Sequence, residues 1–375
     1  KDAAPITIRH LLTHSAGFPE DNPWGDRQMA DSEDEFTRLL NGGLSFSTAT
    51  GTGYEYSNLG FALLGRIITR VSGQAYQQFI TEKILQPLKM NSTIWEYGQA
   101  DGQRLALGYD WIGRQWLKVP MLHDGSFGAI GGLITSVQDF SRYMTLHLAA
   151  WPPRDQAPNM LLSPSSLREM QQCWRVIDQD LSYTTAAGRA CPVINGYGYG
   201  LRWVRDCQGR IFVGHSGGLP GFGSHWRMMP DYGIGVVVFA NRTYADLSNA
   251  CYAVLDTIVT LAGLQPRQPA VSPILQKRKQ ELLQVLPEWQ LTNAEPFADN
   301  FFLDVSIDTL RQRFGRMYQQ AGNIVQVGEI RPRNQLRGSF TLQGEKADIE
   351  LFFTLSPENP PRIQQLKYNL ISRPN

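Results

Sequence analysis

Apolar positions recur at helical spacing through the first part of the chain. The clearest predicted helix begins near Asn58, carries Phe61, Leu64 and Ile67 on one face and stops at Gly73. Further helices are predicted over 7–14, 32–42 and 75–85 and from 136 onward, with capping side chains at Thr7, Ser32 and Ser136.

The pattern changes to short apolar segments separated by turn residues after about residue 199. Strands are predicted over 199–205, 210–215, 224–229 and 234–240, and the sequence Pro230-Asp231-Tyr232-Gly233 is a turn signal for an antiparallel connection. A helix over 247–261 follows. Helices first, then antiparallel strands and a closing helix, indicate an α+β architecture in which helices flank an antiparallel sheet.

The last third of the chain has a pattern of its own. A proline-containing linker and a polar helix occupy 265–290, between a first domain over 1–264 and a last domain over 291–375. The last domain is predicted to hold a helix from Ser306 to Gly322 and four strands, at 324–330, 335–342, 347–355 and 363–371. A helix packed on a curved sheet would give a small α+β domain, which resembles the nuclear-transport-factor-2-like group. No catalytic constellation is found in it.

Composition narrows the class of protein. A length of 375 residues suggests two or three domains, and 42% hydrophobic with 18% charged residues is typical of a globular protein with a substantial core. The formal charge of +1 gives no electrostatic reason to expect nucleic acid or an anionic membrane as a partner. The longest apolar run, near residues 234–240, is strand-sized, so no membrane span is predicted.

The four cysteines, Cys173, Cys191, Cys207 and Cys251, lack the spacing of a metal site. A disulfide among the first three is expected in an oxidising compartment, and four unpaired thiols are the alternative. No cofactor and no metal are predicted. The expected partner is a small-molecule or peptide substrate.

Four motifs in order along the chain carry candidate chemistry. They are Ile-Thr-Ile-Arg-His-Leu-Leu-Thr-His-Ser-Ala-Gly at 6–17, Tyr-Glu-Tyr-Ser-Asn-Leu-Gly at 54–60, Gly-Ala-Ile-Gly-Gly-Leu at 128–133 and Gly-His-Ser-Gly-Gly-Leu-Pro-Gly-Phe at 214–222. Together they resemble the β-lactamase-related serine hydrolases, which include class C β-lactamases, DD-carboxypeptidases, D-aminopeptidases and some esterases. The resemblance covers about 6–264 and implies the β-lactamase/transpeptidase-like fold.

The Tyr-x-Asn element of that family corresponds to Tyr56 and Asn58. The resemblance implies that Tyr56 is the general base, or the group that passes a proton to the leaving group. A free tyrosine has a pKa near ~10, so it serves as a base only where neighbouring positive charge lowers that pKa. Asn58 would orient the substrate carbonyl or the lysine that accompanies the nucleophile.

The segment His215-Ser216-Gly217 stands where the lactamases proper carry Lys-Thr-Gly. If the resemblance holds, His215 lies on an edge strand beside the cleft, where it donates to Tyr56 or, when protonated, favours the phenolate. Gly217 and Gly218 leave room for substrate to lie against the strand. The backbone N–H of Gly218 matches the family position that supplies half of the oxyanion hole.

The family's nucleophile, the serine of Ser-x-x-Lys, is absent from the sequence. For each lysine after Lys1, the residue three positions earlier is isoleucine or glutamine, and not serine. Because the family places this motif and two sheet strands before the Ile6 motif, the chain is expected to be N-terminally truncated. The chain alone is expected to be inactive and to expose apolar surface where the missing elements would pack.

The sequence also allows purely structural roles for these residues. Tyr56 could be a core aromatic, Asn58 a helix N-cap and His215 an ordinary strand residue. His10 and His14 stand at i and i+4, which can bind a metal, but a structural role is favoured because no third ligand is evident.

The leading functional hypothesis is hydrolysis of an amide or ester through an acyl-serine intermediate. Histidine is a weaker and pH-dependent cation than the lactamase lysine, which favours an esterase or D-peptidase. The alternative is a non-catalytic module that keeps the cleft to bind peptidoglycan or a peptide. Relatives are commonly exported, so the resemblance implies a periplasmic or secreted protein.

Overall fold

Among the described residues of the first part of the chain, five of the eight α-helices begin after a residue whose side chain caps them, and the other three lack such a cap. The computed structural model describes residues 4–153, 160–185, 188–291 and 294–372, and the chain divides into two compact units, Lys1–Arg267 and Gln268–Asn375. The helices of the first unit are α1 (Ile8–Leu12), α2 (Trp24–Arg27), α3 (Glu33–Asn41), α4 (Asn58–Ser72), α5 (Tyr76–Ile80), α6 (Val137–Leu148), α7 (Pro164–Met170) and α8 (Ser248–Leu261). A π-helical turn, Thr81–Leu85, continues α5, and 3-10 turns occur at Tyr97–Gln99 and Gly128–Ile130.

The three predicted capping side chains are confirmed, and a further one that was not predicted begins α4. At α3 the Ser32 hydroxyl accepts from the Glu35 backbone N–H, and the Glu35 carboxylate accepts from the Ser32 N–H in return. Ser57 caps α4 by accepting from the Gly60 N–H, and Gly73 ends that helix with φ of 74°, a left-handed conformation that favours glycine. The prediction of a helix from Asn58 to Gly73 is therefore confirmed.

Six antiparallel strands form the main sheet of the first unit. A separate hairpin consists of β1 (Tyr109–Ile112) and β2 (Gln115–Lys118). The sheet order is β3-β4-β5-β6-β7-β8, with bounds β3 (Arg175–Asp180), β4 (Val193–Tyr197), β5 (Arg202–Arg205), β6 (Ile211–Leu219), β7 (Phe222–Met229) and β8 (Ile234–Ala240). The last four were predicted, whereas β3, β4 and the hairpin were not.

Helices cover both faces of this sheet. Val213, Trp226 and Met228 pack with Met144 of α6 on one face. Neighbouring strand residues point to the opposite face, where they pack with Leu255 of α8 in a second cluster. The predicted α+β fold, an antiparallel sheet flanked by helices, is confirmed.

The expectation that His215 lies on an edge strand is wrong for the strand as a whole. β6 pairs with β5 on one side and with β7 on the other. However, the pairing with β5 ends where Arg202 meets Gly214, while the pairing with β7 continues to Leu219. The half of β6 that begins at His215 therefore has one edge without a strand partner among the described residues.

The cysteines are divided between a disulfide and free thiols. Cys191 and Cys207 form a disulfide, while Cys173 and Cys251 are free. Of the two alternatives left open by the sequence, the disulfide is present. It ties the segment that precedes β4 to the loop that follows β5.

The second unit is a helix-covered sheet with one strand more than predicted. Its elements are α9 (Pro273–Val285), α10 (Phe301–Asp304), α11 (Ile307–Ala321), β9 (Ile324–Val327), β10 (Arg331–Asn334), β11 (Arg337–Gly344), β12 (Ala347–Leu355) and β13 (Ile363–Ser372). The order is β10-β11-β12-β13, with β9 also paired to β11, so the sheet has five antiparallel strands and not four. The extra strand β10 contains Pro332 and lies at an edge, the position where a sheet tolerates proline.

The polar helix that the sequence analysis placed with the linker belongs to this second unit. Leu275 and Leu282 of α9 are fully buried in the same core as Phe314 of α11 and Phe340 and Phe353 of the sheet. Ser272 caps α9 and also donates its hydroxyl proton to a carbonyl at residue 335. Within the described ranges, no helix is both long and apolar enough to cross a membrane.

Candidate active site

Tyr56 and His215 lie close together although the chain separates them widely. Tyr56 stands just before α4, and His215 opens the half of β6 that β5 does not cover. Their ring centroids are 6.1 Å apart. The ring of His14, which follows α1, packs on Tyr56 at 4.2 Å. The first, second and last of the four motifs therefore meet at one place.

A chain of four hydrogen bonds runs through this place. The Ser57 N–H lies 3.1 Å from His14 Nδ1, and His14 Nε2 lies 3.0 Å from the Tyr197 hydroxyl oxygen. The same hydroxyl lies 2.8 Å from His215 Nε2, and His215 Nδ1 lies 2.6 Å from the carbonyl oxygen of Ser216. Tyr197 thus joins the two imidazoles.

The ends of this chain limit the directions of its bonds. A backbone N–H only donates, so His14 Nδ1 accepts from Ser57 and the His14 proton lies on Nε2, which donates to Tyr197. A carbonyl only accepts, so His215 Nδ1 carries a proton, and in a neutral His215 Nε2 accepts from the Tyr197 hydroxyl. The hydrogen bonds therefore make His14 neutral and assign the tautomer of a neutral His215.

The pKa shifts agree with neutral imidazoles. Burial, with the positive charge of Arg202 beside it, lowers the pKa of His215 to about 4. Burial is also the main reason that the pKa of His14 lies well below its usual value. Burial thus favours a neutral His215 at neutral pH, and its hydrogen-bond partner is Tyr197 and not Tyr56 as expected. That a protonated His215 would favour the Tyr56 phenolate stays a prediction.

Tyr56 itself is held in its protonated form. Burial raises the pKa of its phenol to about 12, and the Arg202 guanidinium opposes this shift only in part. The guanidinium carbon lies 5.9 Å from the centroid of the Tyr56 ring. Arg202 is a cation at the site that the sequence analysis did not identify.

Asn58 is buried at the start of α4, and its expected role in orienting a substrate carbonyl or a lysine stays a prediction. Its side chain is buried at 5% exposure, and its amide nitrogen donates to Asn22 Oδ1 at 2.5 Å. The Asp21 carboxylate accepts from the backbone N–H groups of Asn58 and Leu59 at 2.6 and 2.8 Å. Asn58 is thus the first residue of α4 and not its N-cap, and within the described part of the chain its amide is hydrogen-bonded to neither Tyr56 nor His215.

A Cβ at either glycine after His215 would meet a close neighbour. A Cβ at Gly218 would lie 2.7 Å from the ring of Tyr244, and one at Gly217 would clash with the Ser224 hydroxyl. Ser216, Gly217 and Gly218 are exposed and lie on the half of β6 that lacks a partner on one edge. An extended substrate could add to such an edge through backbone hydrogen bonds.

Three side chains of the site were not predicted to act in it: His14, Tyr197 and Arg202. His14 lies inside the first motif, and the only signal for it was the i, i+4 spacing with His10. That spacing has a local explanation, since His10 Nδ1 accepts from the Thr7 N–H at 3.2 Å. Tyr197, at the end of β4, lies outside all four motifs. Within the described part of the chain no cluster of side chains could hold a metal ion.

Comparisons with known proteins place these observations in a family. Residues 1–257 match the model of the family described as Beta-lactamase. The chain is 29% identical over 259 residues to the unguisins hydrolase ungD' of Aspergillus campestris, a match that covers 65% of this chain and 44% of that protein. The chain therefore spans less than half the length of that curated relative.

Solved structures show the same fold. The octameric penicillin-binding protein homologue from Pyrococcus abyssi is similar with a TM-score of 0.54 and 19% identity, covering 99% of this chain and 75% of that one. A class C β-lactamase is similar with a TM-score of 0.51 and 16% identity, covering 68% of this chain and 69% of that one. At these identities the likeness concerns the fold alone.

Proposed function

Because this chain belongs to the β-lactamase family of serine hydrolases, we propose that it forms most of an acyl-transfer site that hydrolyses an amide or ester through an acyl-serine intermediate. The observation that carries the proposal is the contact of Tyr56 with His14 and His215 beside the uncovered edge of β6. Tyr56 is the proton-transfer group in this proposal. In this proposal the hydrogen bonds that join His14, Tyr197 and His215 fix the position of β6 relative to the Tyr56 ring.

The edge of β6 supplies the substrate site in this proposal. The segment Ser216-Gly217-Gly218 is exposed and extended, so its backbone can pair with a peptide-like substrate. The N–H of Gly218 provides one oxyanion donor. A neutral His215 supplies no positive charge to a substrate carboxylate, which favours an esterase or a D-peptidase over a dedicated β-lactamase.

The nucleophile is the part of the mechanism that these residues do not contain. The family's Ser-x-x-Lys does not occur among the 375 residues. We therefore propose that this chain alone is not acylated and that a polypeptide containing both the motif and this chain is the active hydrolase. The disulfide between Cys191 and Cys207 supports an oxidising compartment for it, such as the periplasm or the cell exterior.

The test uses covalent labelling and one substitution. Incubation with a fluorophosphonate probe followed by intact-mass measurement should leave this chain unlabelled and should label a version that carries Ser-x-x-Lys. In that version Tyr56→Phe should lower turnover of an ester substrate by at least ~100-fold, as expected for loss of a positioned proton-transfer group. Tyr54→Phe is the matched control, because its hydroxyl belongs to the same aromatic cluster. Equal turnover of the Tyr56 variant and wild type would remove Tyr56 from the mechanism.

A binding module with a retained cleft is the second candidate. The observation that favours it is that the phenol of Tyr56 has its pKa raised to about 12 while His215 stays neutral, which prepares neither group as a base. Such a module would bind a peptide without turning it over. A version with Ser-x-x-Lys that binds a peptide ester but is never labelled by the probe would support this candidate and contradict the hydrolase.

A further inference from the structure

The hairpin of β1 and β2, residues 109–118, which we name the tryptophan hairpin, carries large apolar side chains that face water. Trp111 and Ile112 of β1 are 47% and 54% exposed, and Trp116 and Leu117 of β2 are 56% and 40% exposed. All four residues of β2 are exposed, although neighbouring residues of a strand point to opposite faces. The end of the hairpin therefore stands away from the rest of the first unit.

Both faces of the tryptophan hairpin are apolar. Trp111 pairs directly with Trp116 across the two strands, and their ring centroids are 4.9 Å apart. Ile112 and Leu117 belong to the neighbouring pairs, whose side chains point to the opposite face. Exposed apolar patches mark surfaces that bind a partner. A partner that packs as a layer would cover one face and leave the other in water, whereas a fluid apolar medium covers both.

The base of the hairpin is fixed to the end of the main sheet. The Tyr109 N–H donates to the carbonyl oxygen of Asn241 at 3.1 Å, and the Thr243 N–H donates to the carbonyl oxygen of Tyr109 at 2.8 Å. A Cβ at Gly108 would lie 2.7 Å from Cα of Gly221, so the two backbones are in contact. Because an isolated two-stranded hairpin is only marginally stable in water, these contacts at the base stabilise the exposed end.

Positive charge lies at both ends of the hairpin. Residues 109–118 contain Arg114 in the turn and Lys118 at the base, but one carboxylate, Asp110, whose Oδ1 accepts from a backbone N–H of the hairpin itself. Within the described ranges, no ion pair includes either cation. Arg114 has φ of 67°, a left-handed conformation that favours glycine or asparagine in a two-residue turn. The turn therefore places a cation without an ion-pair partner where backbone geometry favours a smaller residue.

We propose that the tryptophan hairpin binds the surface of a lipid bilayer that contains anionic lipid. Its two indole rings occupy the headgroup boundary, where amphipathic aromatic rings are favoured, and its aliphatic side chains extend the apolar contact on the other face. The two cations, at opposite ends of the hairpin, pair with lipid phosphates, and their long side chains keep the charges among the headgroups. The formal charge of the whole chain does not indicate this site, because the cations and the apolar area are local. The proposal is independent of catalysis.

Vesicle flotation tests the proposal with this chain as it stands. The chain should float with vesicles of equimolar phosphatidylcholine and phosphatidylglycerol, and added salt should weaken that binding. Vesicles of phosphatidylcholine alone should bind it less tightly. Lipids brominated near the top of the acyl chain should quench part of the tryptophan fluorescence of the bound chain.

Substitutions then localise the binding to the hairpin. Replacing Trp111 and Trp116 together by serine should lower the partition coefficient for the anionic vesicles at least ~10-fold, because two large apolar side chains leave the interface. The matched control replaces Val71 and Leu261, which are exposed apolar residues of α4 and α8, by serine and should leave binding unchanged. Arg114→Gly suits the turn conformation and should reduce the preference for anionic over neutral vesicles.

The proposal is wrong if the chain floats with neither kind of vesicle, or if the double tryptophan variant binds as tightly as the wild type. Self-association that this variant loses, measured by sedimentation velocity without any vesicle binding, would assign the hairpin to a second copy of the chain and overturn the proposal. Binding of a soluble oligosaccharide without vesicle binding would overturn it in favour of a glycan. If the double variant does not fold, Arg114→Gly decides, and an unchanged preference for anionic vesicles in that variant contradicts the proposal.

Discussion

The hydroxyl of Tyr197 is expected to stabilise the first unit more than its size suggests. Tyr197→Phe removes one oxygen that accepts from His14 Nε2 at 3.0 Å and donates to His215 Nε2 at 2.8 Å. His14 is 3% exposed, so its N–H loses its partner out of reach of water, at a cost of about 1–3 kcal/mol. His215 is only partly buried and can be solvated, which adds about 1 kcal/mol. The sum is a loss of about 2–4 kcal/mol.

Urea unfolding of the variant and wild type measures this loss. Hydrogen exchange at peptides from residues 4–153 and 188–267 identifies the transition of the first unit, since a chain with two units need not unfold in one step. Tyr199→Phe is the matched control two residues away, because its hydroxyl donates to Glu169 at the surface and should contribute less than about 1 kcal/mol. Equal losses of unfolding free energy in the two variants would refute the hydrogen bonds from His14 through Tyr197 to His215.

Three further predictions concern the first unit. Replacing Cys191 and Cys207 by serine should cost roughly 3 kcal/mol in urea, because the disulfide closes a loop of 16 residues, and dithiothreitol should lower the midpoint of wild type but not of the double variant. Asp21→Ala should cost about 2 kcal/mol, because the first backbone N–H groups of α4 lose a charged acceptor, and an unchanged urea midpoint would contradict this. Stability should fall between about pH 6.5 and 4. His147 and His215 have pKa values lowered to about 4, so the unfolded chain binds their protons first, and equal urea midpoints at pH 7 and 5 would contradict this.

The sequence predicted those elements whose ends are marked by local chemistry. α3 and α4 carry capping serines and end at glycines, and β6 to β8 are apolar segments bounded by turn residues. β3 has the sequence Arg-Val-Ile-Asp-Gln-Asp, which is as polar as a loop, and it is a strand because it pairs with β4. β10 was not predicted for a similar reason, because Pro332 and two arginines are unfavourable in a strand except at the edge of a sheet.

The site could be predicted only as far as its motifs extend. Tyr56 and His215 belong to motifs, and the structure brings their rings together. His14 and Tyr197 are 183 residues apart, and nothing in the local sequence of either one indicates the other. Their hydrogen bond arises from the packing of the helical layer against the sheet. Arg202 contributes through charge at a distance, which no sequence spacing encodes.

Whether Tyr56 can serve as the base for a serine nucleophile depends on a nearby cation, such as the lysine of Ser-x-x-Lys. With a pKa of about 12, roughly one phenol in 10⁵ is ionised at pH 7, so Tyr56 is almost entirely in its protonated form. His215 does not change this, because its Nε2 already accepts from Tyr197 and its pKa keeps it neutral. A lysine ammonium about 4 Å from the phenol would contribute about 4 kcal/mol at an effective dielectric constant of about 20, which lowers the phenol pKa by about 3 units. In the proposed mechanism, a serine supplied without that lysine would therefore find no base in Tyr56.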